Sequence, residues 1–160
     1  MHTAFLLLGS NLGDRHAHLL NARTWLAGIG VIKGVSGIYS TAPWGLQDQQ
    51  DFLNQAVILC TSLEPEVLLQ KLKEMEKTIG RTTTQRWGPR EIDADILVMD
   101  ELIHRSDILT IPHPRLSERR FALVPLSEIA PNLQVPGTGT DVKTLLNNCN
   151  DPLTVSPANC

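Results

Sequence analysis

Ile92-Asp93-Ala94-Asp95-Ile96-Leu97-Val98-Met99 is the stretch that decides how this chain folds. It is short, aliphatic, preceded by Trp87-Gly88-Pro89 and followed by the turn-forming pair Asp100-Glu101, which is the signature of a strand. Side chains alternate along a strand, so Asp93 and Asp95 share one face, roughly 7 Å apart. Ile92, Ala94, Ile96 and Val98 then take the other face and point into a core.

Working outward, Thr3 to Gly9 reads as a buried strand that stops at Gly9-Ser10-Asn11. Asp14 is placed to cap a helix running to about Ala27, with Gly28 and Gly30 behind it. Val31 to Tyr39 reads as a second strand, and Thr41 to Asp51, rich in Pro, Gly and Gln, as a loop. Phe52 to Thr61 is a third strand with Phe52, Asn54, Ala56 and Ile58 on one face. A helix follows, with Pro65 in its first turn, Gly80 after its end, and an apolar stripe of Val67, Leu68, Leu72, Met75 and Ile79. Arg81 to Glu91 is a second polar loop. Asp100-Glu101 reads as a hairpin turn into a short fifth strand. Helical pieces are expected around Phe121 to Ile129 and Asp141 to Cys149. The polar tail beyond about residue 150 shows no periodicity and is expected to be disordered.

Strands and helices are thus interleaved, with a β-α-β passage and hairpin-like neighbours. That predicts an α+β fold, a ferredoxin-like antiparallel or mixed sheet with helices packed on it. The 160 residues suit one domain spanning 1–160, and no repeat or linker divides them. The formal net charge is −3 with no long Lys/Arg run, which argues against a duplex nucleic-acid binder. Cys60, Cys149 and Cys160 are odd in number and badly spaced for zinc or a disulfide framework. Reduced thiols and a cytoplasmic location are expected, with Cys60 in the core. There is no basic-flanked apolar leader and no apolar run long enough for a bilayer.

The chemistry lies around the quoted strand. An Asp-x-Asp spacing alone is more often a solvated strand face than a metal site. Here Arg81, Arg86 and Arg90 stand close by in sequence, and guanidinium groups pair bidentately with phosphate oxygens. Carboxylates for Mg²⁺ beside arginines for phosphates are what phosphoryl transfer needs. The bland alternative is internal Arg–Asp pairing, most of all for Arg86. In the other loop Phe52 and Asn54 share a face, and an aromatic with a carboxamide suits a flat heterocycle. They read equally well as a core Phe beside an ordinary Asn. His113, between Pro112 and Pro114 and ahead of Arg119-Arg120-Phe121, is either a phosphate donor or a local structural hydrogen-bonder.

Taken in order, Gly9-Ser10-Asn11-Leu12, the loop ending at Asn54, Arg86 to Leu97, Ile111-Pro112-His113 and Glu128-Ile129-Ala130-Pro131 resemble the 6-hydroxymethyl-7,8-dihydropterin pyrophosphokinases, over roughly residues 3 to 149. The resemblance implies a ferredoxin-like fold, a monomer, and transfer of pyrophosphate from ATP to the pterin hydroxymethyl group, giving AMP, in folate synthesis. It implies two Mg²⁺ ions on Asp93 and Asp95, with Arg81 and Arg90 as catalytic cations. Thr41, Pro43, Trp44, Phe52, Asn54 and Phe121 match the pterin site. Arg81, Trp87, Arg90, Ile96, Thr110, His113 and Arg119 match the ATP site. Departures are Phe52 where some relatives carry Tyr, Ala94 for a bulkier aliphatic residue, Pro114 for an aromatic, and a Thr82 to Gln85 stretch one residue shorter that lacks an extra basic residue. Two rival readings remain at this point. One is another Mg²⁺-dependent nucleotidyl or glycosyl transferase, and the other a non-catalytic ferredoxin-like binding module.

Overall fold

The computed structural model describes residues 1–42, 48–80 and 90–158. Strand β1 (His2–Ser10) leads into helix α1 (Arg15–Leu26), capped by the Asp14 carboxylate, which accepts from the Ala17 N–H. Strands β2 (Val31–Val35), β3 (Tyr39–Thr41) and β4 (Phe52–Thr61) follow, then α2 (Pro65–Ile79) and β5 (Asp93–Met99). Pro65 suits the first helical position, and Gly80 takes the left-handed φ of 113° that ends α2. A two-strand ladder, β6 (His104–Arg105) with β7 (Thr110–Ile111), precedes α3 (Arg120–Ile129). The small β8 (Gln134–Val135) and β9 (Thr140–Asp141) ladder, α4 (Val142–Asn147) and β10 (Val155–Pro157) complete the chain.

The main sheet runs β10-β3-β4-β1-β5, with β2 on the same side of β4 as β3, and every neighbouring pair is antiparallel. Strands β1 and β2 are therefore parallel and separated by β4, and α1 connects them. Strands β4 and β5 are parallel and separated by β1, and α2 connects them. These interlocked split β-α-β units are the ferredoxin-like arrangement expected from the sequence.

Both faces of β1 are covered. Ala4, Leu6 and Leu8 pack with Leu19, Ala22 and Leu26 of α1 and Leu68, Leu72 and Met75 of α2. Phe5 and Leu7, with Ala56 of β4, pack under Ala122, Leu123 and Leu126 of α3 and Val142 of α4. At the end carrying Gly9, Asn54 and Asp93, a cavity that Arg119 and Phe121 also line borders the sheet.

Several expectations are corrected. The 31–39 strand is broken, because Ser36 leaves the ladder: its Oγ donates to the Gly37 carbonyl and accepts from the Ala56 N–H. Val98 does not follow Ala94 and Ile96. A bulge at Leu97 lets Phe5 pair with Val98 and Leu6 with Ile96, so Val98 joins Leu97 in the α3 layer. Val67 is exposed, and the buried line of α2 ends on Glu76 instead. The turn at Asp100 forms, but β6 pairs with β7 rather than folding back on β5. Cys60 is half-buried at the end of β4. The tail is ordered: Asp151 accepts from the Arg120 and Leu153 backbone N–H groups, and β10 pairs with β3, Val155 opposite Thr41.

At the far end of β1, His2 Nδ1 lies 2.6 Å from Asp100 Oδ2 and Nε2 lies 3.2 Å from Glu64 Oε1. The Asp100 and Glu64 contacts raise the His2 pKa above its ordinary value. A raised histidine stabilises the fold fully below its unfolded pKa of about 6.5 and loses that contribution as pH climbs through the folded value. His2→Gln is expected to melt below the parent at pH 5.5 and to converge with it at pH 9. Equal gaps at both pH values would remove the ion pairs from the account.

Candidate active site

The sheet register places the functional side chains in two rows. Gly9 of β1 lies between Asn54 of β4 and Asp93 of β5, and Leu7 between Ala56 and Asp95. Gly9 lacks a side chain, which leaves a flat floor between a carboxamide and a carboxylate. A Cβ there would stand 2.7 Å from Asn54 Oδ1. Gly9 has no positive φ, so alanine is tolerated by the backbone but not by Asn54.

Two clefts meet on these rows. The first, a cavity of ≈ 160 Å³, is lined by Gly9, Thr41, Phe52, Asn54, Arg119 and Phe121 together with Asp93 and Asp95. The second, ≈ 410 Å³, is lined by Lys73, Glu76, Ile96, Thr110 and His113 and by the same two aspartates. Asp93 and Asp95 are thus the partition between a partly aromatic pocket and a polar one.

Among the described residues, three buried polar atoms of the first cleft have no hydrogen-bond partner: Thr41 Oγ1, Asn54 Nδ2 and Arg90 Nε. Thr41 and Asn54 are 2% and 3% exposed, so these donors are nearly shut off from solvent. Each buried unpaired group costs about 1–3 kcal/mol, a cost that a polar ligand can remove. The Phe52 and Phe121 rings line the same space. The Arg119 guanidinium lies 5.5 Å from the Phe121 centroid, which holds a cation against the aromatic lining.

Electrostatics favour cations at the partition. Protein crowds Asp95, and burial, then the neighbouring Asp93 charge, hold its carboxyl well above the usual range against the pull of Arg119 and Arg90. Arg90 Nη1 donates to Asp93 Oδ2 at 3.0 Å. His113 is anchored by its N–H to the Leu97 carbonyl. Burial, with the Arg119 and Arg115 charges, brings its pKa down to about 4. Its Nδ1 accepts from the Arg115 N–H at 3.1 Å, so the neutral ring carries its proton on Nε2 as a donor.

Residues 5–131 match the 7,8-dihydro-6-hydroxymethylpterin-pyrophosphokinase (HPPK) family. The chain belongs to this family. It is 43% identical over 136 residues to the 2-amino-4-hydroxy-6-hydroxymethyldihydropteridine pyrophosphokinase of Aquifex aeolicus, 85% of either chain. The Bacillus subtilis enzyme of the same name is 43% identical over 141 residues, 86% of this chain and 84% of that one. Among solved structures, Plasmodium falciparum HPPK-DHPS superposes with a TM-score of 0.70 at 16% identity, covering 92% of this chain. The pyrophosphokinase spans only 43% of that longer protein, and the likeness there is one of fold.

Of the residues singled out from the HPPK sequence, Thr41, Phe52, Asn54, Phe121, Arg90 and Arg119 line the first cleft. Ile96, Thr110 and His113 line the second, and Asp93 and Asp95 line both. Pro43, Trp44, Arg81, Arg86 and Trp87 lie outside the described residues. Sequence reasoning missed Arg115 and Glu118 on the first cleft and Lys73 and Glu76 on the second. Glu76 had left a signal. It falls on the Leu68–Leu72 line of α2, one helical step beyond Leu72, and a carboxylate only 6% exposed in an apolar stripe is unusual.

Gly9→Ala is expected to keep the fold and raise the pterin KM about 10-fold by displacing Asn54, with the ATP KM unchanged. Steady-state kinetics with each substrate varied in turn checks this, and an unchanged pterin KM would free the floor of that role.

Proposed function

We propose that the two clefts hold the two substrates of the family reaction and present them to each other across Asp93 and Asp95. As an HPPK, the chain transfers pyrophosphate from ATP to the hydroxymethyl group of 6-hydroxymethyl-7,8-dihydropterin in folate biosynthesis. The observation that carries the spatial reading is the sharing of both aspartates by a pocket with unpaired donors and a polar pocket.

In this reading the pterin ring lies on Gly9 between Phe52 and Phe121, and Asn54 and Thr41 meet its polar edge. The family resemblance assigns Pro43 and Trp44 to the pterin as well. ATP occupies the second cleft, with Ile96 and Thr110 toward the base, His113 Nε2–H toward the phosphates, and Arg90 and Arg119 near the chain of phosphates; the family resemblance assigns Arg81 and Trp87 to ATP as well. Two crowded carboxylates suit Mg²⁺, which takes one or two carboxylates and fills its shell with water and phosphate oxygens. Asp93 and Asp95 would hold two such ions, whose chemistry is to neutralise phosphate charge.

The pterin hydroxyl oxygen bonds to the β-phosphorus, and the bond from that phosphorus to the α–β bridging oxygen breaks. The electron pair leaves with AMP, and the hydroxyl proton is lost to solvent. Arg90 and Arg119 place positive charge where negative charge spreads in the transition state. Among the described residues no histidine lines the first cleft. Phosphoryl transfer depends on positioning and charge more than on a protein base. Action in the cytoplasm accords with the free Cys60 and Cys149 thiols, and action as a monomer with the family resemblance.

The test is to incubate the protein with ATP, Mg²⁺ and the reduced hydroxymethyl pterin. AMP formed only with pterin present supports the reading. Free pyrophosphate as product would indicate nucleotidyl transfer, and no ATP consumption would indicate a binding module.

A further inference from the structure

Asn11 lies just past the end of β1 and is 1% exposed. Its backbone N–H donates to the Arg90 carbonyl at 3.0 Å, and its Oδ1 accepts from the Arg90 N–H at 2.8 Å. Its Nδ2 donates to Gln49 Oε1 at 2.8 Å and to the Gln50 carbonyl at 3.2 Å. One residue therefore holds the segment entering β5 with its acceptor side and the segment entering β4 with its donor side. From Arg90 the guanidinium reaches Asp93. From Gln50 the chain is two residues from Phe52, the first residue of β4. β1 separates β4 from β5 in the sheet, and Asn11 continues that separation beyond the last ladder bond.

We propose that Asn11 is a positioning residue for the transfer: it fixes Arg90 and Asp93 on one side against Phe52 and Asn54 on the other. The inference rests on the substrate placement given under Proposed function. Asn11 itself touches neither substrate. An error of about 1 Å between reacting groups can lower turnover about 100-fold, so a clamp that sets this spacing has kinetic consequences.

The two sides of the clamp separate by substitution. Asn11→Asp keeps an acceptor for the Arg90 N–H and loses the donor. The Gln49 amide can turn to donate to the new carboxylate, but the Gln50 carbonyl cannot. Asn11→Ala loses the side-chain bonds on both sides and keeps only the backbone bond to the Arg90 carbonyl. Asn11→Asp is expected to raise the pterin KM about 10-fold, with kcat and the ATP KM within about twofold of the parent. Asn11→Ala is expected to show the same KM rise and a kcat lower by about 30-fold. In an Arg90→Ala background, Asn11→Ala is expected to lower kcat by less than about threefold further, because the route through Arg90 is already gone. Melting curves and active-site titration correct each rate for folded protein.

Unchanged KM values in Asn11→Asp, or full additivity of Asn11→Ala with Arg90→Ala, would overturn the proposal and leave Asn11 a scaffold residue. Should Asn11→Ala not fold, the pterin KM of Asn11→Asp decides alone. The parent enzyme is the control for the underlying reading. Pterin-dependent AMP from the parent with a parental KM in Asn11→Asp defeats only the clamp, whereas no AMP from the parent defeats the substrate placement.

Discussion

Asp95→Asn is expected to lower pterin-dependent AMP formation by about 10³-fold or more, a loss of roughly 4 kcal/mol of transition-state stabilisation, and Asp93→Asn to do the same. The shape of the side chain is kept, so the loss reports charge rather than packing. The Asp95 change carries a second consequence that a purely structural aspartate would not show. Burial and the Asp93 charge raise the Asp95 pKa in the fold, so the ionised form opposes folding. A raised carboxyl contributes a penalty that is absent below its unfolded pKa of about 4 and complete above its folded value. In chelator, the Asp95→Asn protein is therefore expected to melt above the parent at pH 8, with the gap closing toward pH 4. Adding Mg²⁺ should raise the parent melting temperature and leave the variant unmoved, since only a state that binds the ion gains from it. Near-normal turnover of either variant with Mg²⁺ would end the assignment of these acids to the metal.

Asn54→Ala is expected to raise the pterin KM about 100-fold and leave the ATP KM within about twofold. The side chain is 3% exposed, stands beside Gly9 in the floor row and lines the first cleft but not the second. Among the described residues its Nδ2 has no partner, so shortening the side chain leaves no acceptor among them newly stranded. The melting temperature should change little while binding collapses. A ligand edge left without its partner in a closed pocket costs about 1–3 kcal/mol per group, which sets the size of the effect. An equal loss for both substrates would show that Asn54 does not separate them, and a large fall in melting temperature would make it a fold residue.

The elements bounded by strong local signals were legible in the sequence. α2 runs between Pro65 and Gly80, and β4 starts and stops where its alternation does. Asp93 and Asp95 share a face because a single residue of unbroken strand, Ala94, separates them. What failed was set by distant partners. The bulge at Leu97 exists because β1 and β5 slip by one residue between Phe5 and Leu6, and no property of 92–99 alone encodes that. β10 is three residues whose pairing lies with Tyr39–Thr41, far back in the chain, and its own stretch has no pattern to read. The break at Ser36 depends on one hydroxyl meeting the Ala56 N–H. Within the site, residue types with a chemical signature were found, whereas Asn11 carries its significance only through what it bridges. Glu76 lay in a pattern that was read for its apolar members.

The β10–β3 pairing also orders events in time. Thr41, on the wall of the first cleft, is carried by a strand whose outer neighbour, Val155 to Pro157, follows it far along the chain. Until 155–157 emerge, a growing chain that has already made both aspartates presents the outer side of β3 as an open edge, available to any passing strand. Docking of β10 closes that edge, so completion of the cleft wall waits for 155–157 rather than for folding of the central strands.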